Sequence, residues 1–269
     1  MCPELFHIGP IPIRAFGLML ALSFLVGVFY IQRVTKRDNK PFDTYLTFAY
    51  IMILGGILGA RLSYVALHWS DFSGDLLAII NPFQSGQFGI AGLNLYGGIL
   101  LAMIGSIIYA RLKHLAILDV FDYFAPALGL GIGISRIGCF LNGCCFGTPT
   151  DLPWGVVFPP DSIPAGVFGS QPLHPAQLYS SLYGLGLFLA LHYMVKHRRF
   201  VGQVAATFLM VEAVFRWAIE YVRYYESEMH LTLWGMNPTW NQIVSYGLFA
   251  GGLAVYLVNM HRNRKTRSD

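Results

Sequence analysis

Seven long apolar segments run along the chain, separated by shorter polar connections. A helix needs about 20 apolar residues to cross roughly 30 Å of hydrocarbon, and these segments approach that length. The pattern therefore predicts an all-α, polytopic membrane protein with seven transmembrane helices. The predicted spans are residues 16–32, 45–67, 93–110, 120–135, 177–195, 205–221 and 243–260.

Composition supports this class of protein. Of the 269 residues, 55% are hydrophobic and only 12% are charged, and the mean hydropathy is +0.53. An average soluble domain has about 25% charged residues, so a disordered chain and a soluble enzyme are both excluded. The first apolar segment continues past the length of a signal peptide, which predicts a retained first span.

The connection between the fourth and fifth predicted spans, residues 137–176, is rich in glycine and proline. It is too polar and too interrupted to cross a membrane, which makes it the natural place for a functional site. No internal repeat or appended soluble domain is visible. We therefore expect residues 1–269 to form a single integral membrane domain whose loop 137–176 faces outward.

Basic residues predict the orientation of the spans. Most of the 18 lysines and arginines fall in alternate connections or in the C-terminal tail, and such connections are usually cytoplasmic. The N-terminus is then outside and the C-terminus cytoplasmic. Because these charges lie at membrane boundaries, the net charge of +4 does not indicate a nucleic-acid partner. The basic groups are Arg33, Lys36, Arg37 and Lys40; Arg111 and Lys113; Lys196, Arg198 and Arg199; and Arg262, Arg264, Lys265 and Arg267.

Five arginines remain at or within predicted spans, where an ionised side chain costs at least about 2.5 kcal/mol unless it is paired or hydrated. One hypothesis is that they share a cavity open to the outer leaflet. The alternative is structural pairing, for example Arg216 with Glu220 at i, i+4, or Arg61 with Asp122 or a loop carbonyl. The five are Arg14, Arg61, Arg136, Arg216 and Arg223.

The most specific segment, residues 135–147, reads SRIGCFLNGCCFG. The planar guanidinium of Arg136 can grip a phosphate, and backbone N–H groups around Gly138 and Gly143 can form a small anion-binding nest. This combination suits a phospholipid head group. The alternative is tight helix packing, with Arg136 anchored at the membrane interface.

This segment resembles the signature of the bacterial prolipoprotein diacylglyceryl transferase family. The matching positions are Arg136, Gly138, Phe140, Asn142, Gly143 and Gly147. Further similarity extends over nearly the whole chain, in the same order and spacing. It includes Gly59-Ala60-Arg61, Gly97-Gly98-Ile99, Asp122-Tyr123-Phe124-Ala125-Pro126, His174-Pro175-Ala176-Gln177-Leu178-Tyr179, Phe215-Arg216 with Glu220 and Arg223, and Gln242-Ile243-Val244-Ser245.

The resemblance implies an enzyme of the bacterial inner membrane with its active site toward the outer leaflet. It would transfer diacylglycerol from phosphatidylglycerol to the lipobox cysteine in the signal peptide of an exported prolipoprotein, leaving a thioether and glycerol phosphate. The expected partners are those substrates and membrane lipids, with no nucleic acid, cofactor or metal ion. Arg136 would hold the phosphate, Arg216 would assist at the head group, and Tyr96 and Asn142 complete the candidate catalytic set. The candidate substrate-binding residues, besides Arg136, are Gly138, Gly143, Arg61, His174, Gln177, Tyr179, Glu220, Arg223 and Gln242.

The chain departs from the family pattern at several of these positions. Tyr96 precedes Gly97-Gly98 where the family usually has histidine, and a phenol with a pKa of about 10 is a poor base. Cys139 and Cys144 stand where an asparagine and an acidic residue are expected. The identity of the general base is therefore open. Two other functions also stay open: transfer to a different acceptor, and lipid binding or transport without catalysis.

Two features have structural interpretations beside the functional ones. Cys139, Cys144 and Cys145 could form a disulfide, pack as small buried residues or supply a working thiol. A metal site is disfavoured because no Cys-x-x-Cys pair accompanies a histidine pair. His174-Pro175, followed by Gln177 and Tyr179, could equally be a helix start whose polar side chains satisfy free N–H groups.

Overall fold

The structure is a computed structural model that describes residues 3–9, 11–79, 83–84, 87–88, 92, 94–225 and 238–268. Helices dominate. Four short strands form two two-stranded sheets, β1 (Glu4–Ile8) with β2 (Ile11–Arg14) and β3 (Phe83–Gln84) antiparallel to β4 (Gln87–Phe88). The helices are α1 (Ala15–Arg37), α2 (Phe42–Leu67), α3 (Trp69–Phe72), α4 (Leu95–Leu112), α5 (Ile117–Asn142), α6 (Ile163–Phe168), α7 (Ala176–His197), α8 (Gln203–Ile219) and α9 (Trp240–Ser268), with a 3-10 turn at Leu76–Ile79.

Within the described residues, five helices are long and apolar enough to cross a membrane, namely α1, α2, α5, α7 and α9. The two remaining predicted spans fall on α4 and α8, which have 18 and 17 residues. At 1.5 Å per residue those two helices reach only about 26 Å. The all-α class and the multi-pass membrane character are confirmed, whereas the count of seven spans and their orientation stay predictions.

Helix α5 corrects the predicted start of the long connection. The fourth span was expected to end at Ser135, but the helix continues to Asn142, so Arg136 and Cys139 are helical. The glycine at position 138 does not interrupt it, because its missing side chain leaves room for a neighbouring helix instead. The helix ends at Asn142, and the next residue, Gly143, has a φ of 74°, in the left-handed region that favours glycine just past a helix end. The connection also contains α6.

The chain divides into two compact units. The first comprises the described residues of 1–7, 13–30 and 121–269, and the second those of 8–12 and 31–120. In the first unit, α8 packs along α9 and against α7, and in the second α2 packs along α4. Small residues allow the α2–α4 approach, since a Cβ on Gly98 would lie 2.6 Å from the carbonyl oxygen of Gly56.

Asp122, fully buried on α5, organises the start of α8 within the first unit. Its carboxylate accepts hydrogen bonds from Arg198 Nη1 (2.8 Å) and from the backbone N–H groups of Gly202 (2.7 Å) and Ala205 (2.9 Å). The first N–H groups of a helix lack partners within the helix, so a carboxylate supplied by another helix stabilises that end. Asp122 therefore ties α5 to the α7–α8 connection.

Asp122→Asn is expected to lower the free energy of unfolding by about 1–3 kcal/mol, because the amide keeps the shape but turns a second donor toward existing donors. Thermal unfolding of the full chain in detergent measures the loss. Asp151→Asn is the matched control, since Asp151 is exposed in the same unit. Equal melting temperatures for the two variants would contradict this account of the buried carboxylate.

Candidate functional site

Arg136 projects from the last two turns of α5 and is partly buried. Its Nη1 atom lies 4.0 Å from the sulfur of Cys139, one helical turn later. Glu212, on α8, lies within electrostatic range of both Arg136 and Arg216. Two of the arginines predicted to act at the head group therefore lie near one acidic side chain of the first unit.

Arg216 is held along one face of α8. Its Nε atom lies 3.5 Å from Glu220 Oε1, and its Nη2 donates to the hydroxyl of Tyr225 at 3.4 Å. Glu212, Arg216 and Glu220 follow one another at i, i+4 spacing, which places them on one side of the helix. The predicted pairing of Arg216 with Glu220 is confirmed.

The carboxylate of Glu220 is buried, and both of its oxygen atoms accept hydrogen bonds from other side chains of the protein. Oε1 accepts from the Tyr225 hydroxyl at 2.7 Å, and Oε2 accepts from Thr239 Oγ1 at 2.7 Å and from Asn241 Nδ2 at 3.4 Å. Burial raises the pKa of Tyr225 to about 12, so this phenol stays neutral and donates. Glu220 therefore links Arg216 to Tyr225 and to the start of α9.

Arg223 follows the end of α8 and lies beside the last part of the signature segment. Its guanidinium is 4.8 Å from the centre of the Tyr225 ring, and its backbone forms a bridge with Gly147. The neighbouring backbone bonds, Tyr224 N–H to Phe146 O (3.1 Å) and Thr148 N–H to Val222 O (2.9 Å), fix this register. The Nε atom of Arg223 is buried without a hydrogen-bond partner among the described residues.

His174, Gln177 and Tyr179 meet the other side of the same segment. The Gly147 N–H donates to His174 O at 3.0 Å, and His174 Nδ1 lies 3.3 Å from the Tyr179 hydroxyl. Gln177 Nε2 donates to the carbonyl of Cys144 at 2.8 Å. Gln177 is 1% exposed, yet its Oε1 has no partner within the described part of the chain. An unpaired buried acceptor costs about 1–3 kcal/mol, so it marks a position where a ligand would bond.

Gly138 and Gly143 have backbone roles that differ from each other. A Cβ at Gly138 would lie 2.9 Å from Met19 Cβ and 3.2 Å from Phe16 Cα, so this glycine admits α1 against α5. Gly143 supplies the left-handed turn after Asn142, and the Cys144 thiol that follows donates to the carbonyl of Cys139 at 3.7 Å. The structure therefore gives the Gly138 position to helix packing, which was the alternative interpretation.

Gly138→Ala is expected to destabilise the protein by about 1–3 kcal/mol, because α1 must move away from the added methyl group. Gly131→Ala is the control on the same helix, where a Cβ meets nothing within 4 Å. That control should be neutral or slightly stabilising, since alanine is the better helix former. Thermal unfolding in one detergent compares the two, and an unfolding temperature of Gly138→Ala at or above that of Gly131→Ala would contradict the packing role.

The three cysteines of the signature segment are free thiols, Cys139 buried and Cys144 and Cys145 partly buried. Their sulfur atoms all lie within 4.8 Å of one another. Hydrogen bonds from the Cys139 and Cys144 thiols, and the guanidinium groups of Arg223 and Arg136, hold the pKa of Cys145 below its usual range. The hydrogen bond with Cys139 lowers the pKa of Cys144, but the hydrogen bond with Cys145 and burial together raise that pKa above its usual value.

Arg61 and Tyr96 belong to the second unit. The buried Arg61 donates to the carbonyl oxygens of Ile79 (2.9 Å) and Gly92 (3.3 Å), so the predicted loop-carbonyl partner is confirmed. Tyr96 lies in the first turn of α4 and is 51% exposed, and its backbone N–H donates to Asn94 Oδ1 at 3.0 Å. The Asn94 side chain thereby caps α4.

Gln242 has a structural partner at the start of α9. Its Oε1 accepts from the backbone N–H of Thr239 at 3.0 Å, while Thr239 Oγ1 accepts from the Gln242 N–H at 3.2 Å. This reciprocal pair is a capping box, which stabilises a helix start. Gln242 therefore positions Thr239, whose hydroxyl bonds to Glu220.

Sequence reasoning missed Tyr225, Thr239 and Asn241, the residues that surround Glu220. Spacing along the chain does not predict these contacts, because Thr239 and Asn241 come from the start of α9, about 20 residues beyond Glu220. The Thr239-x-x-Gln242 capping signature was visible, but it indicates only a helix start. Glu212 carried a signal in its i, i+4 spacing to Arg216.

The family comparison and the comparison with individual proteins point to the same family. Residues 3–258 match the family described as prolipoprotein diacylglyceryl transferase. Three relatives carry the name phosphatidylglycerol–prolipoprotein diacylglyceryl transferase. The Bordetella avium protein is 32% identical over 269 residues, covering 98% of this chain and 96% of its own. The Pseudoalteromonas translucida protein is 32% identical (95% and 91% covered), and the Vibrio vulnificus protein is 33% identical (94% and 89% covered).

Proposed function

The chain belongs to the prolipoprotein diacylglyceryl transferase family, and we propose that it transfers the diacylglyceryl group of phosphatidylglycerol to the lipobox cysteine of an exported prolipoprotein. The cysteine sulfur attacks the glycerol carbon that carries the phosphate ester. A carbon–sulfur bond forms, the carbon–oxygen bond breaks, and glycerol phosphate leaves with the electron pair. The thiol proton passes to a base or to solvent.

The single observation that carries this proposal is that two arginines, Arg136 and Arg216, both lie within electrostatic range of one acidic residue, Glu212. Negative charge grows on the departing phosphate, and fixed guanidinium groups stabilise such charge best where water is scarce. Because Arg136 and Arg216 both lie near Glu212, their charges are placed in one region of the protein before substrate arrives. Arg136 binds the phosphate, and Arg216, oriented by Glu220, assists at the head group.

Two buried atoms that have no hydrogen-bond partner within the described residues support placing the substrate beside the signature segment. The Nε of Arg223 offers a donor to a phosphate oxygen, and the Oε1 of Gln177 offers an acceptor to a glycerol hydroxyl. Both residues contact the signature segment, Arg223 at Gly147 and Gln177 at Cys144. Asn142, His174 and Tyr179 complete the proposed substrate-binding wall, while Gly138 and Gly143 shape its backbone. Arg61, in the second unit, is proposed as a further substrate-binding residue.

Tyr96 is proposed to orient the acceptor thiol without serving as a strong base. A cysteine thiol ionises to a few per cent at neutral pH and is a potent nucleophile, so the reaction needs little help in removing the proton. Tyr96→Phe is therefore expected to lower kcat/KM by about tenfold or less, below the roughly 10²–10⁴-fold typical of a lost general base. Steady-state kinetics measure the change, and a loss beyond 1,000-fold would make Tyr96 the base.

We also propose the arrangement of the chain in its membrane. Seven spans form one integral domain of the bacterial inner membrane, with the N-terminus outside, the C-terminus cytoplasmic and the site toward the outer leaflet. The support is the charge at the helix ends: α1 ends in Lys36 and Arg37, α4 has Arg111 in its last turn and α7 ends in Lys196 and His197. Basic ends at alternate boundaries are typical of a cytoplasmic face.

The deciding experiment incubates the purified protein in detergent with phosphatidylglycerol and a lipobox peptide. Mass spectrometry then looks for the diacylglyceryl thioether and for released glycerol phosphate. A peptide with serine in place of its cysteine and phosphatidylcholine as donor are the controls. Product from the cysteine peptide alone supports the proposal. Phosphatidylglycerol binding without product would contradict it and favour a different acceptor.

A further inference from the structure

We propose that Cys139, Cys144 and Cys145 form a three-sulfur binding site for one soft metal ion of the Cu(I) type. Their sulfur atoms lie within 4.8 Å of one another. Three thiolates bonded at about 2.3 Å to one ion sit roughly 4 Å apart, so the site closes on a metal with sulfur movements of less than about 1 Å. Thiolates are the ligands that Cu(I) prefers over harder cations.

The backbone is shaped to bring these sulfurs together. Side chains of adjacent residues in extended chain point to opposite sides, so neighbouring cysteines do not normally converge on a third. Here Gly143 (φ 74°) and Cys145 (φ 61°) both adopt the left-handed region, and the chain turns back on the end of α5. For Cys145, which is not glycine, that conformation costs about 1–2 kcal/mol.

Hydrogen bonds fix the turn before any ion arrives. The Cys144 N–H donates to the carbonyl of Cys139 at 3.1 Å, and the Cys144 carbonyl accepts from Gln177 Nε2 at 2.8 Å. One ligand therefore stands on the last turn of a long helix, and the other two on a loop tied to that helix and to α7. Ligands held in this way bind a metal without a large ordering cost.

The surrounding charge suits a monovalent ion bound by three thiolates. Binding releases the protons that the thiols still hold and leaves a net charge of −2 on the cluster. The guanidinium of Arg136 lies 4.0 Å from the Cys139 sulfur, and both Arg136 and Arg223 attract Cys145. Two arginines thus offset the two negative charges, while Glu212 is the acidic group that also faces Arg136.

Spacing alone did not predict this site. A Cys-x-x-Cys pair places two ligands by local geometry, whereas Cys139 precedes Cys144 by five residues and pairs with it only because the helix ends between them. The expectation of no metal ion rested on that missing motif. The inference is independent of the transfer reaction, so its failure would leave the proposed function untouched.

The test titrates Cu(I) into the reduced full-length protein under anaerobic conditions, against a chromophoric Cu(I) chelator. We expect one ion per chain. Cys139→Ser, Cys144→Ser and Cys145→Ser should each weaken Cu(I) binding by more than the roughly 10–100-fold that loss of a mere supporting contact causes. Cys2→Ser, which removes the fourth cysteine, is the control and should bind as the native chain does.

A second measurement needs no variant and so does not depend on correct folding of the substituted chains. One equivalent of Cu(I) should protect these three cysteines, and not Cys2, from alkylation, as read by peptide mass spectrometry. Equal alkylation of all four cysteines in the presence of Cu(I) would overturn the proposal. A disulfide among Cys139, Cys144 and Cys145 in protein alkylated directly in membranes, before any reduction, would overturn it as well.

Discussion

Arg136→Ala is expected to lower kcat/KM for diacylglyceryl transfer by at least about 100-fold, because the leaving phosphate loses a fixed charged partner. Alanine cannot replace the bidentate hydrogen bonds that a guanidinium makes with a phosphate. Arg136→Lys keeps the charge without that planar fork, so it should recover only part of the rate. The mass-spectrometric assay with phosphatidylglycerol and lipobox peptide measures all three proteins.

The control for this experiment is Arg199→Ala. Arg199 is exposed in the connection between α7 and α8. Its replacement by alanine removes the same charge from the same unit. It should keep near-native transfer. Thermal unfolding of Arg136→Ala separates lost chemistry from lost structure, since a partly buried arginine also contributes to packing. Near-native activity of a folded Arg136→Ala protein would show that the phosphate binds elsewhere.

The sequence was sufficient for the helical architecture because a membrane span depends on local composition. Each of the seven apolar segments coincides with a helix, from α1 to α9, since a backbone in hydrocarbon must satisfy its own N–H and C=O groups. Local composition did not predict the end of α5. Glycine and polar residues after Ser135 are typical of a loop, but here the helix continues, and the close approach of α1 requires a glycine at position 138.

The site was predictable where its residues are close in sequence, and not elsewhere. Arg216 and Glu220 pair through the period of one helix, so spacing alone found them. The partners of Glu220 arrive from α9, and the convergence of the three sulfurs depends on two left-handed residues. Both arrangements follow from how separate elements are held together, and no pattern along the chain encodes them.

Glu220→Ala is expected to destabilise the protein by about 3–5 kcal/mol, because it leaves the charge of Arg216 without this partner and removes the acceptor of three donors, one of them buried. Glu220→Gln keeps the shape and should lose less stability. Glu4→Ala is the control, since Glu4 is an exposed acidic residue of the same unit and should change stability by about 0.5 kcal/mol or less. Thermal unfolding in detergent gives all three values.

The kinetic result separates positioning from stability. If Glu220 acts by orienting Arg216, then folded Glu220→Gln should show a reduced kcat with little change in the KM for the peptide, because Arg216 works on the phosphate and not on the acceptor. Arg216→Ala should then make the Glu220→Gln substitution nearly silent in kcat, since residues that act through one contact are not additive. Fully additive losses of kcat in the double variant would contradict this role. Glu220 would then act independently of Arg216, through its hydrogen bonds with Tyr225 and Thr239.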